Sequence, residues 1–175
     1  MAERCFLAVD LGASGGRVTA GLFDGRKLRL EEAARFPNGP TPVLGSLHWD
    51  VLGIWNQLRG GLRKAASQWN DVVSVGVDAW GVDYGLLGRG DVLLGNPNHY
   101  RDPRTKGIID QVTEIVSREE IFESTGLQFM EFNTLFQLYA MRRDNSPLLD
   151  AAEQMLMIPD LFHWLLTGAK AVERT

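Results

Sequence analysis

The sequence predicts an α/β domain with a mixed β-sheet and flanking helices. Three observations predict it. Two-residue alternation marks three successive strands near the start of the chain, and the turns between them are short enough to make them antiparallel. A helical stripe follows from Val51 to Trp69. An apolar run, Val72–Asp78, comes after that helix and is expected to run parallel to the first strand in a covered sheet.

Each element has its own local reason. A buried-looking strand ends at Asp10, and Cys5 reads as a small core residue within it. A glycine-rich turn, Gly12-Ala13-Ser14-Gly15-Gly16, leads through Arg17 into a second strand. In that strand Val18, Ala20 and Leu22 alternate with Thr19, Gly21 and Phe23. Asp24-Gly25 is a hairpin turn, and Lys27–Glu31 alternates as a third strand. Pro37–His48 reads as a loop. Asp50 caps a helix whose apolar stripe is Val51, Trp55, Leu58, Leu62, Ala65 and Trp69, with both tryptophans expected in the core. Gly60 and Gly61 interrupt this helix without an evident reason. After Val72–Asp78, the segment Gly85-Leu86-Leu87 turns at Gly88-Arg89-Gly90 and returns through Val92-Leu93-Leu94. The rest is mostly helical. Ile108, Ile109, Val112, Ile115 and Val116 form one stripe; Ser117 to Glu120 is a capping box, and Gly126 closes that helix. Phe129–Asn133 is a loop before a helix at Thr134–Arg143, with Leu135, Leu138, Tyr139 and Met141 apolar. Ser146 caps a short helix, Met155–Ile158 is strand-like, Pro159 opens a last helix and Gly168 ends it.

Composition narrows the function classes. The chain has 175 residues, 45% hydrophobic and 23% charged, an ordinary globular balance with room for a real core. A net charge of −4 argues against nucleic acid as a partner, since phosphate-backbone binding needs a basic face. Cys5 is the only cysteine, which rules out an internal disulfide and fits a reducing cytoplasm. No stretch reads as a signal peptide or membrane span, and His48, His99 and His163 lack metal-ligand spacing.

The first turn carries the sharpest chemistry. Asp10, a bend of backbone N–H groups and Arg17 sit together in sequence. Successive N–H groups in a tight turn form an anion-binding concavity. Arginine offers a planar fork of donors to phosphate oxygens. A carboxylate suits Mg2+, usually through water. No helix follows the turn, so it is neither a P-loop nor a dinucleotide fingerprint; the alternative is an ordinary hairpin with a flexible tip. Further polar clusters follow. Asp78 ends a strand as Asp10 does, so both are expected at one cleft, unless Asp78 merely caps or pairs structurally. Trp80 either stacks on a sugar face or belongs to the core. In Tyr100-Arg101-Asp102-Pro103-Arg104, Arg101 and Asp102 form either a solvated surface pair or part of a binding loop. Asn133 is either an N-cap or a hydrogen-bond donor to a substrate hydroxyl.

Taken together, AVDLGASGGR from Ala8, GVDAWGVDYGLL from Gly76, YRDPRT from Tyr100, STGLQFMEFNTLFQL from Ser124 and IPDLFHWLLTG from Ile158 resemble the FGGY family of sugar kinases. That family lies within the actin, Hsp70 and hexokinase superfamily, so the resemblance implies a ribonuclease H-like domain. It covers essentially the whole chain in the expected order. The WGVD and FNTLFQL stretches are its most specific part, and they point to members that phosphorylate L-rhamnulose. The resemblance implies ATP and Mg2+ as cofactors and a small ketose as substrate, with the γ-phosphate passing to its 1-hydroxyl. Asp10 would hold the Mg2+–nucleotide, and Ala13, Ser14, Gly15, Gly16 and Arg17 would contact its phosphates. Gly15 stands where such members often carry serine, which removes a hydroxyl but keeps the backbone donors. Gly81, with Trp80 and Asp83, would line the ketose site, joined by Phe132 and Asn133. Family members are more than twice this length, with two similar domains around a cleft. Residues 1–175 therefore resemble part of an N-terminal kinase domain, with the proton-accepting aspartate and the adenosine pocket expected beyond Thr175. The expectations are an inactive fragment with exposed apolar surface, and a complete cytoplasmic enzyme that is a monomer or small homo-oligomer; the alternatives are a kinase for another ketose or polyol, or a stand-alone domain that binds nucleotide or sugar without catalysis.

Overall fold

A computed structural model describes residues 3–173 of the chain. In chain order the strands are β1 (Arg4–Leu11), β2 (Gly15–Phe23), β3 (Leu28–Pro37), β4 (Pro40–Val43), β5 (Ser46–Trp49), β6 (Val72–Ala79), β7 (Tyr84–Gly88), β8 (Val92–Leu93) and β9 (Ala152–Met157). The helices are α1 (Val51–Gln68), α2 (Ile108–Thr113), α3 (Arg118–Thr125), α4 (Thr134–Arg143), α5 (Pro147–Ala151) and α6 (Ile158–Thr167). They form two compact units. One contains the segments up to Pro40, Asp50–Gly81 and from Met157 onward; the other contains Thr41–Trp49 and Val82–Leu156. Each unit is assembled from segments far apart in the chain, which is why no linker marks the boundary in the sequence.

The first unit is built on a four-stranded mixed sheet, β3-β2-β1-β6. β1, β2 and β3 form an antiparallel meander, and β6 pairs parallel with β1. Cys5, Leu7, Val9 and Leu11 share the buried face of β1 with Val18, Ala20 and Leu22 of β2. α1 covers that face. Asp50 caps it by accepting from the Gly53 N–H at 2.9 Å. Gly61 now has a reason: a Cβ there would lie 2.6 Å from Val18 Cγ2 and 3.1 Å from Ala34 Cβ. The helix thus sits close on the sheet at that point, while the Gly60 position opens into free space. The buried stripe of α1 is Val51, Ile54, Leu58, Gly61 and Ala65. Trp55, Leu62 and Trp69 are only half-buried, so the sequence placed the stripe about a quarter-turn off at Trp55. β6 also differs from expectation. It is the sheet edge, and Val73 and Val75 are 55% and 38% exposed, because α1 lies over β2 and β3 instead.

In the second unit, the segment read as a loop is a hairpin. β4 pairs with β5 through a turn in which Leu44 (φ 47°) and Gly45 (φ 87°) both take left-handed backbone. Such a turn matches the twist of the strands it joins. A three-stranded sheet, β8-β7-β9, carries the unit's second hairpin, at Gly88–Asp91. Ile108 and Val112 of α2, Ile121 of α3, and Phe136 and Ala140 of α4 form one apolar cluster. Ile115, expected inside, is exposed beyond the end of α2. The bounds of α4 match the expectation, but its buried face is Phe136, Gln137, Ala140 and Met141, with Leu135 outward. Ser117, Gly126 and Gly168 cap and stop helices as their chemistry predicts. Ser146 sits at an N-cap position, but its side chain makes no capping bond.

Candidate functional site

Leu11 and Gly16 are the last paired residues before the first turn, so Asp10 and Arg17 stand directly opposite on the solvent face. Arg17 Nε and Nη2 donate to Asp10 Oδ2 at 2.8 and 2.6 Å. Both side chains are about half exposed, 45% for Asp10 and 50% for Arg17. The turn itself closes with Gly12 N–H donating to Gly15 O at 2.8 Å. Asp10, Gly12, Ser14 to Arg17, and Arg35 to Pro37 of β3 line one open groove of about 550 Å3. Gly16 is required by its neighbours: a Cβ would lie 2.3 Å from Phe36 Cε2, so the Phe36 ring lies across the glycine and backs the groove. Asn38 grips the turn from outside. Its Nδ2 donates to Gly12 O at 2.7 Å, and its backbone N–H donates to Ser14 O at 3.3 Å. Asp10 and Asp78 are register partners on adjacent parallel strands, but Asp78 is not among the residues lining the groove at the turn. Trp80 and Gly81 follow β6; Trp80 is half-buried, and Gly81 is exposed with open space beside its Cα.

The groove fits a magnesium polyphosphate on chemical grounds. It offers an accessible carboxylate, the exposed Ser14 hydroxyl, a guanidinium and a turn of backbone, all open to solvent. Among the described residues no three His, Cys, Asp or Glu side chains converge on one metal-sized point. A single accessible carboxylate such as Asp10 suits a cation that keeps most of its waters and takes phosphate oxygens, which is the habit of Mg2+.

The second unit holds the other predicted residues in a dense polar network. Asp83 is fully buried. Its Oδ2 accepts from Trp49 Nε1 at 2.6 Å and Tyr100 N–H at 3.2 Å, while Oδ1 accepts from Gln137 Nε2 at 2.8 Å. The predicted ketose contact at Asp83 thus has no exposed surface; its carboxylate orders the loops around it. Gln137 also donates to Val82 O and Phe132 O, and its Oε1 accepts from Arg104 Nη2 at 2.6 Å. Val82 holds φ at 65°, an unfavourable conformation for a β-branched residue, worth about 1–3 kcal/mol of strain. Thr134 Oγ1 and Gln137, both reaching Val82 O, hold it there.

An aromatic column runs through the same unit. Trp49 and His99 are 4.1 Å apart by ring centroid, His99 and Tyr100 stack at 4.4 Å, and Phe132 meets Tyr100 edge-on at 5.9 Å. Phe132 and Asn133 are half-buried, and Asn133 Nδ2 donates to Gln128 O at 2.8 Å. Asn133 occupies the N-cap position of α4 without a side-chain capping bond. Asp102 is not a solvated partner of Arg101. It is buried, and it accepts from Ser46 Oγ at 2.5 Å, Leu47 N–H at 2.6 Å and Arg104 N–H at 3.0 Å. Burial pushes its acidity down, but these bonds outweigh that and hold its pKa below the usual carboxylate range. Arg101 instead lies over the Tyr100 ring at 5.4 Å. For His99, burial first and the Arg101 charge second lower the pKa, against an opposing pull from Asp102.

Sequence reasoning missed Asn38, Phe36 and Gln137. Asn38 looked like one more turn residue between Pro37 and Gly39, and nothing local tells that it reaches back to Gly12. Gln137 lies inside a stretch singled out by resemblance, but its partners are distant in sequence.

Three comparisons bear on the identity of the chain. The FGGY family of carbohydrate kinases, N-terminal domain, matches residues 5–175. A rhamnulokinase from Oceanobacillus iheyensis is 41% identical over 173 residues, covering 99% of this chain and 37% of its own length. One from Bacteroides thetaiotaomicron is 42% identical over 170 residues, covering 97% of this chain and 35% of its own. The chain thus spans little more than a third of these curated relatives. The crystal structure of a xylulose kinase from Rhodospirillum rubrum superposes with a TM-score of 0.81 at 19% identity, over 98% of this chain and 36% of that one. This agrees with the expected actin- and hexokinase-like fold. The chain belongs to the FGGY family of carbohydrate kinases, in the region of its N-terminal domain.

Proposed function

We propose that the complete protein transfers the γ-phosphate of MgATP to the 1-hydroxyl of L-rhamnulose, and that residues 1–175 supply its phosphate-binding turn and part of its ketose site. The groove at that turn carries the reading: Asp10, the Gly12–Gly16 backbone and Arg17 face solvent together in one recess. The likeness to rhamnulokinases supports the choice of sugar. Bound Mg2+ would neutralise phosphate charge, which is most of what phosphoryl transfer asks of its surroundings. Asp10 would hold the cation through its waters, and Ala13 to Gly16 would offer backbone N–H groups to phosphate oxygens. Arg17 would exchange its bonds to Asp10 for bonds to phosphate, an inexpensive exchange because a half-exposed ion pair is worth at most about 1 kcal/mol. Gly81 with Trp80 is a proposed ketose contact on the first unit and Phe132 with Asn133 on the second, while Asp83 orders the loops of the second unit from inside. We place the proton acceptor in the part of the relatives' length that this chain does not span, and on that reading residues 1–175 alone should not turn over.

The test is a coupled ADP-release assay on the complete protein with MgATP and a panel of ketoses and polyols. L-Rhamnulose should give the highest kcat/KM. Turnover of another sugar but not L-rhamnulose would sink the substrate assignment. Asp10→Ala should lower kcat/KM by about 100-fold or more, with Tm within ~2 °C of wild type. Near-wild-type turnover in that variant would refute the role of Asp10.

A further inference from the structure

We propose that Asn38 is a positioning residue for the phosphate-binding turn, setting the affinity for nucleotide without touching it. The inference rests on the reading of the groove given above. A four-residue turn between two strands is held by few bonds of its own, here Gly12 N–H to Gly15 O at 2.8 Å. Its remaining carbonyls are left to solvent unless a neighbour takes them, and a turn held by so few bonds samples other shapes. Asn38 supplies two. The amide Nδ2 donates to Gly12 O at 2.7 Å, on the entry side, and the Asn38 backbone N–H donates to Ser14 O at 3.3 Å, at the tip.

The amide is itself fixed. Oδ1 accepts from Gly39 N–H at 2.9 Å, which sets which way Nδ2 points. Both ends of the side chain are thus committed, and no other common side chain has a donor and an acceptor at this reach in one plane. With Gly12 O turned toward Asn38, the turn presents one fixed backbone surface to the groove. Such preorganisation raises affinity by removing ordering that the ligand would otherwise have to impose.

The test compares wild type, Asn38→Ala and Asn38→Asp in the complete protein. Asn38→Asp keeps the size and the bond from Gly39 N–H but replaces the donor with an oxygen facing Gly12 O. Without nucleotide, amide exchange at Ala13 to Gly16 should be about tenfold faster in both variants. The Kd for the magnesium complex of a β,γ-imido ATP analogue, by calorimetry, should rise about tenfold in both, the loss expected for one hydrogen bond. The ketose KM should stay within about twofold. Unchanged exchange or unchanged Kd in a folded variant overturns the assignment. So does a parallel rise in Kd and ketose KM with a lowered Tm, which marks a general structural role. If the wild-type protein does not bind the analogue at all, the reading of the groove falls and the assignment falls with it; the two failures are told apart by that wild-type titration.

Discussion

Replacing Asp83 by alanine should destabilise the chain by about 3 kcal/mol or more. Asp83 has no solvent-exposed surface, and its carboxylate accepts from Trp49 Nε1, Tyr100 N–H and Gln137 Nε2 at 2.6, 3.2 and 2.8 Å. Alanine leaves at least these three donors buried without an acceptor. Each stranded donor costs about 1–3 kcal/mol, so the low end already sums to about 3. Against a typical total stability of about 5–15 kcal/mol, that is a large fraction. Asp83→Asn should fall between wild type and alanine, because one carbonyl oxygen survives while the new NH2 faces donors. The assay is urea unfolding followed by far-UV circular dichroism, with hydrogen exchange on the Tyr84–Gly88 strand to localise the effect. A double-mutant cycle with Trp49→Phe should show coupling of about 0.5–3 kcal/mol. A loss below about 1 kcal/mol in Asp83→Ala, or no coupling to Trp49, would refute the view that this carboxylate organises the loops.

Other consequences are as direct. Arg101 N–H donates to His99 Nδ1 at 3.0 Å, so His99 is held neutral with Nδ1 as acceptor, and its pKa lies below 6.5. The unfolded chain therefore takes up that proton first; stability should be full above about pH 6.5 and fall as pH drops below it, and His99→Gln should flatten this between pH 7.5 and 5. Asp102, with its lowered pKa, contributes stability that is present above about pH 3.8 and lost only below it, outside that window. In α1, Gly61→Ala should cost about 1–3 kcal/mol by forcing the helix off Val18 and Ala34, whereas Gly60→Ala should stabilise by about 0.5–1 kcal/mol. Thermal unfolding of the two variants reads both signs, and equal effects would contradict the packing argument.

What the sequence revealed was local chemistry. The hairpin turn after Asp10, the caps at Asp50 and Ser117, the stops at Gly126 and Gly168 and the Pro159 start each depend on a few neighbouring residues, and each stands where expected. Helix phase was less legible. Trp55 and Ile54 are both apolar and adjacent on α1, and only the tight approach at Gly61 decides that Ile54 turns inward. On α4 the buried polar Gln137 displaces Leu135 from the core, because Asp83, far away in sequence, supplies its partner. The hairpin at β4 and β5 was hidden by prolines at Pro40 and Pro42 that read as loop. Leu44 in left-handed backbone gives no sequence signal at all. The groove itself was legible from Asp10 to Arg17, but its wall of Arg35 and Phe36 and its brace at Asn38 were not, since β3 joins them only by pairing.

The interleaving of the two units has a consequence for synthesis on the ribosome. All four strands of the β3-β2-β1-β6 sheet are made by Ala79, so that sheet can close before the bulk of the other unit emerges. The short strand ending at Trp49 has no such option. Its backbone partners at Pro97 and His99, and the Asp102 carboxylate that receives Ser46 and Leu47, are made later. At roughly 5–20 residues per second, Trp49 waits on the order of 3–10 s for its neighbours. During that interval a large apolar side chain, destined for complete burial, hangs from a nascent chain and is open to holding factors. Slowing translation just after residue 81 should therefore lower the yield of folded protein more than the same pause placed after Met157.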